Sequence, residues 1–337
     1  MKRGLLKAAV TATIALAAFG TMAQQQGIDD SSRAATYEAI KGKRVAFVPL
    51  GMGLDLTEAW AAGMKRQADS MGYRFDVRDP NWSTDAGSQA VTQLITEKPD
   101  VLVLHNPDVQ VYARLIQRAQ AAGIPVLQIN LKSSALSEGF VGPDWVALGE
   151  KVAQLAVDKC SPKAGGSGKI SISQLTLTAA SNIYQMKGVQ NVLSKHPEIK
   201  VVSTQGGDTQ AAKARAATAT VLQQNPDLCG IIGFWDGQDV GNAAAVKAAG
   251  MQGKVKIFTS GGGEKSQCAR VNNGEYYAYV SYNAALQSRD LNTMIKFLLQ
   301  AKPKAGTYKT NLFNDLDVIT KDHPRPTACY AIDDLKA

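Results

Sequence analysis

Polar and aromatic side chains stand where short apolar runs end, and their types suit the recognition of hydroxyl groups. Asp55 follows the run that begins at Val45, and His105 and Asn106 follow Val101-Leu102-Val103-Leu104. Asn130 follows Val126-Leu127-Gln128-Ile129, Trp235-Asp236 follow Gly230-Ile231-Ile232-Gly233-Phe234, and Tyr282 closes a further run. Asn offers both a donor and an acceptor, Asp accepts strongly from a hydroxyl, and an aromatic face covers the C–H surface of a sugar ring. Together they suit a small, neutral, polyhydroxylated ligand. Asn106, Asn130 and Asp236 could instead cap the segments that follow them. Trp60, inside a helical stretch, reads as core packing, and Tyr184 and Trp145 are secondary candidates.

Catalysis is harder to assemble from this chain. His105, His196 and His323 are the only histidines, and none sits in a GxSxG elbow or at metal-ligand spacing. No catalytic residue and no metal are expected, and the chain does not read as an enzyme. Gly51-Met52-Gly53 starts like a dinucleotide fingerprint but lacks the third glycine. Gly165-Gly166-Ser167-Gly168-Lys169 precedes a strand, whereas a phosphate loop must follow one, so it reads as a flexible connection. No cofactor is expected.

The elements that must position these residues alternate between short β-rich runs and longer helical stretches, the pattern of a parallel sheet covered by helices. Strands are expected over 45–50, 73–77, 101–104 and 125–129, with helices over 57–71, 87–97 and 109–122 between them. The last helix stops at Gly123, and Pro125 opens the next strand. After Val141-Gly142-Pro143-Asp144 a second series begins, with a helix over 145–160. Its strands are expected over 170–173, 201–203, 231–234 and 256–259, and its further helices over 184–195, 210–224 and 240–249. The run 277–282 and a helix over 286–299 return the chain to the first series, and 315–320 crosses back. The strand ends are where open α/β sheets bind ligands.

Residues 1–23 read as a cleavable export signal: Lys2, Arg3 and Lys7, an apolar stretch, then Thr21-Met22-Ala23. The mature chain is therefore expected to work outside the cytoplasm. No later stretch approaches the roughly 18 apolar residues of a membrane helix. The formal charge of +8 falls on removal of the three basic residues, and the remaining Lys and Arg are scattered. Nucleic acid is therefore not an expected partner. Cys160, Cys229, Cys268 and Cys329 form an even set without CxxC spacing, so disulfides are expected. Three pairings are possible. Cys160–Cys229 with Cys268–Cys329 is favoured because the fold reading puts all four in one lobe.

Several ordered landmarks resemble the periplasmic sugar-binding proteins of ABC transporters, of the ribose-binding type. They are Gly63-Met64-Lys65-Arg66-Gln67-Ala68-Asp69-Ser70-Met71-Gly72-Tyr73, Val103-Leu104-His105-Asn106-Pro107-Asp108, Gly123-Ile124-Pro125-Val126 and Gly233-Phe234-Trp235-Asp236. The likeness runs from about Lys43 to Thr320. It implies the type 1 periplasmic binding protein fold: α/β, two similar lobes, each a parallel sheet flanked by helices, joined by three hinge crossovers. The lobes would comprise 43–143 plus 283–312 and 144–282 plus 313–337. Carried over, the family's contacts fall on Asn106, Asn130, Trp235 with Asp236, Ser260 or Gly261, and Tyr282.

Departures from the family are specific. Leu54-Asp55-Leu56-Thr57 replaces an Asn-Pro-aromatic-aromatic segment, Leu131 stands for an Arg, and a second-lobe Arg aligns near Asn182-Ile183. Loss of both Arg argues against an anionic ligand. The ligand-binding set expected from all these readings is Asp55, Thr57, His105, Asn106, Asn130, Asn182, Tyr184, Trp235, Asp236, Ser260 and Tyr282. The resemblance implies a monomer that closes by hinge rotation on a neutral sugar or sugar alcohol and delivers it to an ABC permease in the inner membrane. The alternative output is a ligand sensor that presents its solute to a membrane kinase or chemoreceptor. A cytoplasmic repressor would need a DNA-binding module where the export signal stands.

Overall fold

A computed structural model describes residues 31–336, so the expected export signal at 1–23 lies outside the described residues. The first strands are β1 (Arg44–Val48), β2 (Arg74–Val77), β3 (Val101–Leu104), β4 (Val126–Ile129), β5 (Gly139–Pro143) and β6 (Lys169–Gln174). The rest are β7 (Lys200–Gly206), β8 (Gly230–Gly233), β9 (Lys256–Gly261), β10 (Ala278–Ser281), β11 (Thr310–Asn314) and β12 (Asp317–Thr320). The helices begin with α1 (Ser32–Ile40), α2 (Asp55–Met71), α3 (Thr84–Glu97), α4 (Ala113–Ala121), α5 (Trp145–Cys160) and α6 (Ala180–Leu193). They end with α7 (Ala211–Gln224), α8 (Asp236–Ala248), α9 (Lys265–Asn272), α10 (Ala284–Ala301) and α11 (Ile332–Lys336).

Among the described residues these strands build two sheets of like order, β11-β5-β4-β3-β1-β2 and β12-β10-β9-β8-β6-β7. All pairings are parallel except that of β12 with β10. The expected α/β architecture of two similar lobes is present. Strand for strand, β1 to β5 repeat as β6 to β10. The central strands β3, β4 and β8 are buried along their whole length, as helices on both faces require. The chain passes between sheets after β5, after β10 and between β11 and β12.

One continuous core joins α2 and α10 of the first lobe to α5 and α6 of the second, while α3 with α4, and α7, α8 and α9, cover the outer faces. Helices α5 and α6 touch backbone to backbone at paired glycines. A Cβ on Gly149 would lie 2.0 Å from the Gln185 carbonyl oxygen, and one on Gly188 would lie 2.0 Å from that of Val146. The last helix, α11, packs on α2, and Lys336 reaches Glu58 at 3.6 Å.

The favoured disulfide pairing is the one found: Cys160–Cys229 and Cys268–Cys329. The glycine run 165–168, in contrast, is a tight turn rather than a flexible connection. Gly166 N–H and Gly168 N–H donate to the Ser161 and Cys160 carbonyls at 3.0 and 2.8 Å. Gly166 has no room for a side chain, since its Cβ would lie 2.3 Å from the Cys160 oxygen. Strand β5 was not foreseen from its Gly-Phe-Val-Gly-Pro sequence. Gly139 is needed there because a Cβ would press on Leu127 at 2.7 Å.

Candidate functional site

At the carboxyl ends of both sheets lies a cavity of about 560 Å³, within the usual range of about 300–1,000 Å³ for small-molecule sites. Its first-lobe wall is made by Leu50, Leu54, Leu56, His105, Pro107, Asn130 and Leu131, with Pro80, Trp82, Ser83, Thr84 and Tyr112. Leu175, Thr176, Ala179, Ser181, Thr209, Phe234 and Trp235 make the opposing wall. Trp145 and Tyr282 stand where the chain crosses between lobes. They follow the equivalent strands β5 and β10, and their rings meet edge-on at 5.5 Å between centroids. Among the described residues no Asp, Glu, Lys or Arg lines the cavity.

Backbone strain is concentrated at this cleft. Asn81 and Trp82, between β2 and α3, have φ of 48° and 67°; Asp208 and Thr209, in the equivalent place between β7 and α7, have 49° and 62°. Asn130, with φ of 59°, is a third such place. Left-handed conformations cost a non-glycine residue about 1–3 kcal/mol and persist where surrounding structure holds them. Trp82 is held by ring contact with Gly51, whose Cβ would fall 2.5 Å from the indole nitrogen. Trp235 is seated in the same way, a Cβ on Gly237 falling 2.4 Å from its ring.

Of the residues expected from sequence, His105, Asn130, Trp235 and Tyr282 come together on the cavity. The His105 ring meets Trp60 edge-on at 5.1 Å, and neither of its nitrogens has a protein partner. Burial lowers its pKa to about 3, so the ring is neutral and offers one donor and one acceptor. Asn130 is braced from behind: its carbonyl accepts from Trp145 Nε1 at 2.8 Å and its Oδ1 from Gln287 Nε2 at 3.4 Å. Gln287 in turn accepts from Trp60 Nε1 at 3.0 Å, which makes Trp60 a support of the site. Burial raises the pKa of Tyr282, the Asp236 and Glu264 charges adding to it.

Asp55, Thr57, Asn106, Asn182, Tyr184, Asp236 and Ser260 lie outside the cavity lining. Asp55 is an exposed residue in the first turn of α2, and Thr57 donates to the Leu54 carbonyl at 3.1 Å. Asn106 Nδ2 donates to Gln128 and to the Leu131 carbonyl, at 2.9 and 2.7 Å, and so ties down the loop after β4. Asn182 Oδ1 accepts from Leu175 N–H at 3.1 Å. Ser260 donates to the Phe234 carbonyl at 3.1 Å. Tyr184 is exposed beside Ile183 and Leu177 on α6 and the loop before it.

Asp236 faces away from the ligand space, its Oδ2 accepting from Tyr279 Oη at 2.7 Å. Gly261 makes room for it, since a Cβ there would lie 1.9 Å from that oxygen. Burial raises its pKa well above normal, and nearby Glu264 raises it further. Glu264 is raised too, chiefly by burial, and Asp239 is raised by burial to about 7. The second lobe thus buries a group of carboxyls behind Trp235, outside the cleft. Sequence reasoning missed Trp82, whose Asn-Trp-Ser turn gave a signal only through its position after β2, and the five leucines.

Residues 45–303 match the family described as periplasmic binding protein domain. A D-apiose import binding protein of Actinobacillus succinogenes is 24% identical over 205 residues, 60% of this chain and 65% of that protein; the match thus spans just under two thirds of that relative. A xylitol-binding protein of Mycolicibacterium smegmatis is 26% identical over 284 residues, 83% of this chain and 78% of its own length. A solved ABC transporter solute-binding protein from Agrobacterium vitis, with bound D-fucose, superposes with a TM-score of 0.74 at 22% identity, covering 86% of this chain and 100% of that one.

Proposed function

This chain belongs to the periplasmic binding protein domain family, and from that premise we propose that it is the solute-binding protein of an ABC importer. It takes a neutral sugar or sugar alcohol between its lobes, closes by hinge rotation and delivers the solute to a permease in the inner membrane. The observation that carries this reading is the interlobe cavity, lined by hydrogen-bonding and aromatic groups and by no charged side chain. A charged ligand would lose hydration there without gaining a counter-charge. His105, Asn130, Trp235 and Tyr282 are the proposed contacts. Hydrogen bonds from such neutral groups contribute about 0.5–1.5 kcal/mol each. The relatives named for D-apiose and xylitol support the ligand class.

The proposed lobes are 43–143 plus 283–312 and 144–282 plus 313–337, a division supported by the place of β12 in the second sheet, while β11, Thr310–Asn314, pairs along its whole length in the first sheet and so runs two residues past the 312 limit. The equivalent residues Trp145 and Tyr282 mark two of the hinge crossings, where a few backbone angles can absorb closure. The protein acts as an exported periplasmic monomer, and it binds without turnover. A thermal-shift screen over neutral sugars, polyols, sugar acids and amino sugars tests the reading, because a ligand that binds only the native state raises its apparent stability. Shifts confined to neutral hydroxylated compounds are expected. Shifts with sugar acids alone would overturn the ligand class.

A further inference from the structure

A bare sugar or polyol carries hydroxyl groups around most of its surface, and each one buried without a partner costs about 2–7 kcal/mol in an apolar surround. The cleft offers a poor match to such a molecule. Five leucines line it, Leu50, Leu54, Leu56 and Leu131 from the first lobe and Leu175 from the second. A leucine side chain can neither bond a hydroxyl nor stack on a ring face; what it covers well is alkyl or aryl surface.

The two tryptophans point the same way. Trp82 is 51% exposed at the cleft although its backbone is strained and its indole lies directly on Gly51. An exposed aromatic held at that cost gains by covering something apolar. Trp235 faces the same space from the opposite lobe, seated over Gly237. Polar capacity is by contrast local: the amide of Asn130 lines the cavity and His105 stands in its wall with both ring nitrogens buried and unpartnered, enough for a few hydroxyls.

We propose that the ligand is a neutral sugar or polyol unit bearing an alkyl or aryl group, whose apolar part is held by the leucines and by Trp82 and Trp235. His105 and Asn130 take its hydroxyls. This rests on the sugar-binding reading above and narrows it.

Calorimetry on the full mature protein tests it, with free glucose, galactose, mannose, xylose and ribose set against their butyl and phenyl glycosides. In at least one series the phenyl glycoside binds tenfold or more tightly than the free sugar. Trp82→Ala, at a half-exposed position, and Leu54→Ser, which places a good cap residue before α2, each remove most of that gain. Free sugars that bind as tightly as their glycosides in every series overturn the narrowing and leave the sugar reading standing. No heat from any sugar or glycoside overturns both.

Discussion

Asp239 gives the sharpest test of how burial sets this protein's response to pH. Its side chain is fully buried in the first turns of α8, where Thr259 donates to it and Asn242 Nδ2 donates at 2.7 Å. Burial outweighs those hydrogen bonds and raises the carboxyl to about 7. In the unfolded chain it titrates near about 3.9. Below about pH 4 both states are protonated and the group is neutral to stability. Above that the unfolded chain ionises while the native state holds its proton, so stability falls as pH rises, until the native carboxyl also ionises near about 7. The full difference is about 4 kcal/mol. His105 acts with the opposite sign: held neutral down to about 3, it withdraws stability as pH falls below about 6.5, where the unfolded imidazole takes up a proton.

Because the two slopes oppose each other, the native protein's own pH profile hides both, and a difference measurement is required. Asp239→Asn keeps the shape and removes the titration. Asp236 and Glu264, both raised, remain in each protein. Urea midpoints of the native protein and the variant, compared between about pH 4.5 and about pH 7.5, should shift relative to one another by about 3 kcal/mol, the variant gaining as pH rises. A difference constant to within about 0.5 kcal/mol across that window would refute the reasoning.

Gly149→Ala drives a methyl into the Gln185 carbonyl, so α5 and α6 must separate, at a cost of about 3 kcal/mol read from the urea midpoint. Replacing Cys160 and Cys229 by Ala opens a bridge between residues 69 apart and costs about 2–4 kcal/mol, read as a lower Tm that reductant does not lower further through that bridge. His105→Phe preserves a ring against Trp60 but loses both nitrogens. It should weaken ligand binding by about tenfold in calorimetry, the loss of a hydrogen bond of about 1.4 kcal/mol, while raising stability in acid.

Much of the frame was legible because buried parallel strands announce themselves: Val101-Leu102-Val103-Leu104 has no polar face to give up. The two series of strands gave the lobes, and the favoured pairing of the four second-lobe cysteines is the one found, although their shared lobe by itself admits all three. Strand β5 was hidden because its glycines answer to contacts that its own sequence pattern does not display, Gly139 to Leu127 and Gly142 to the Phe140 ring and the Asn130 backbone. Trp82 was hidden for a similar reason. Its place depends on the missing side chain of Gly51 and on a left-handed turn that its own sequence does not advertise.

The site itself was legible only to the nearest pair of residues. At strand ends adjacent side chains point opposite ways, so of His105 and Asn106, or Trp235 and Asp236, one member faces the cleft and the other the protein. The choice follows from who can satisfy whom. Asn106 finds Gln128 and the Leu131 carbonyl, Asp236 finds Tyr279, Ser260 finds the Phe234 carbonyl and Asn182 the Leu175 amide. Each has at least one internal partner, with Oδ1 of Asn106 left unpaired among them, an exchange a string of residue types does not display. His105 has none among the described residues, and both its ring nitrogens are buried, so their desolvation is left uncompensated by the protein itself. The cleft therefore sets His105, which folding left without a partner, beside Asn130, which folding braces from behind, among leucines and tryptophans.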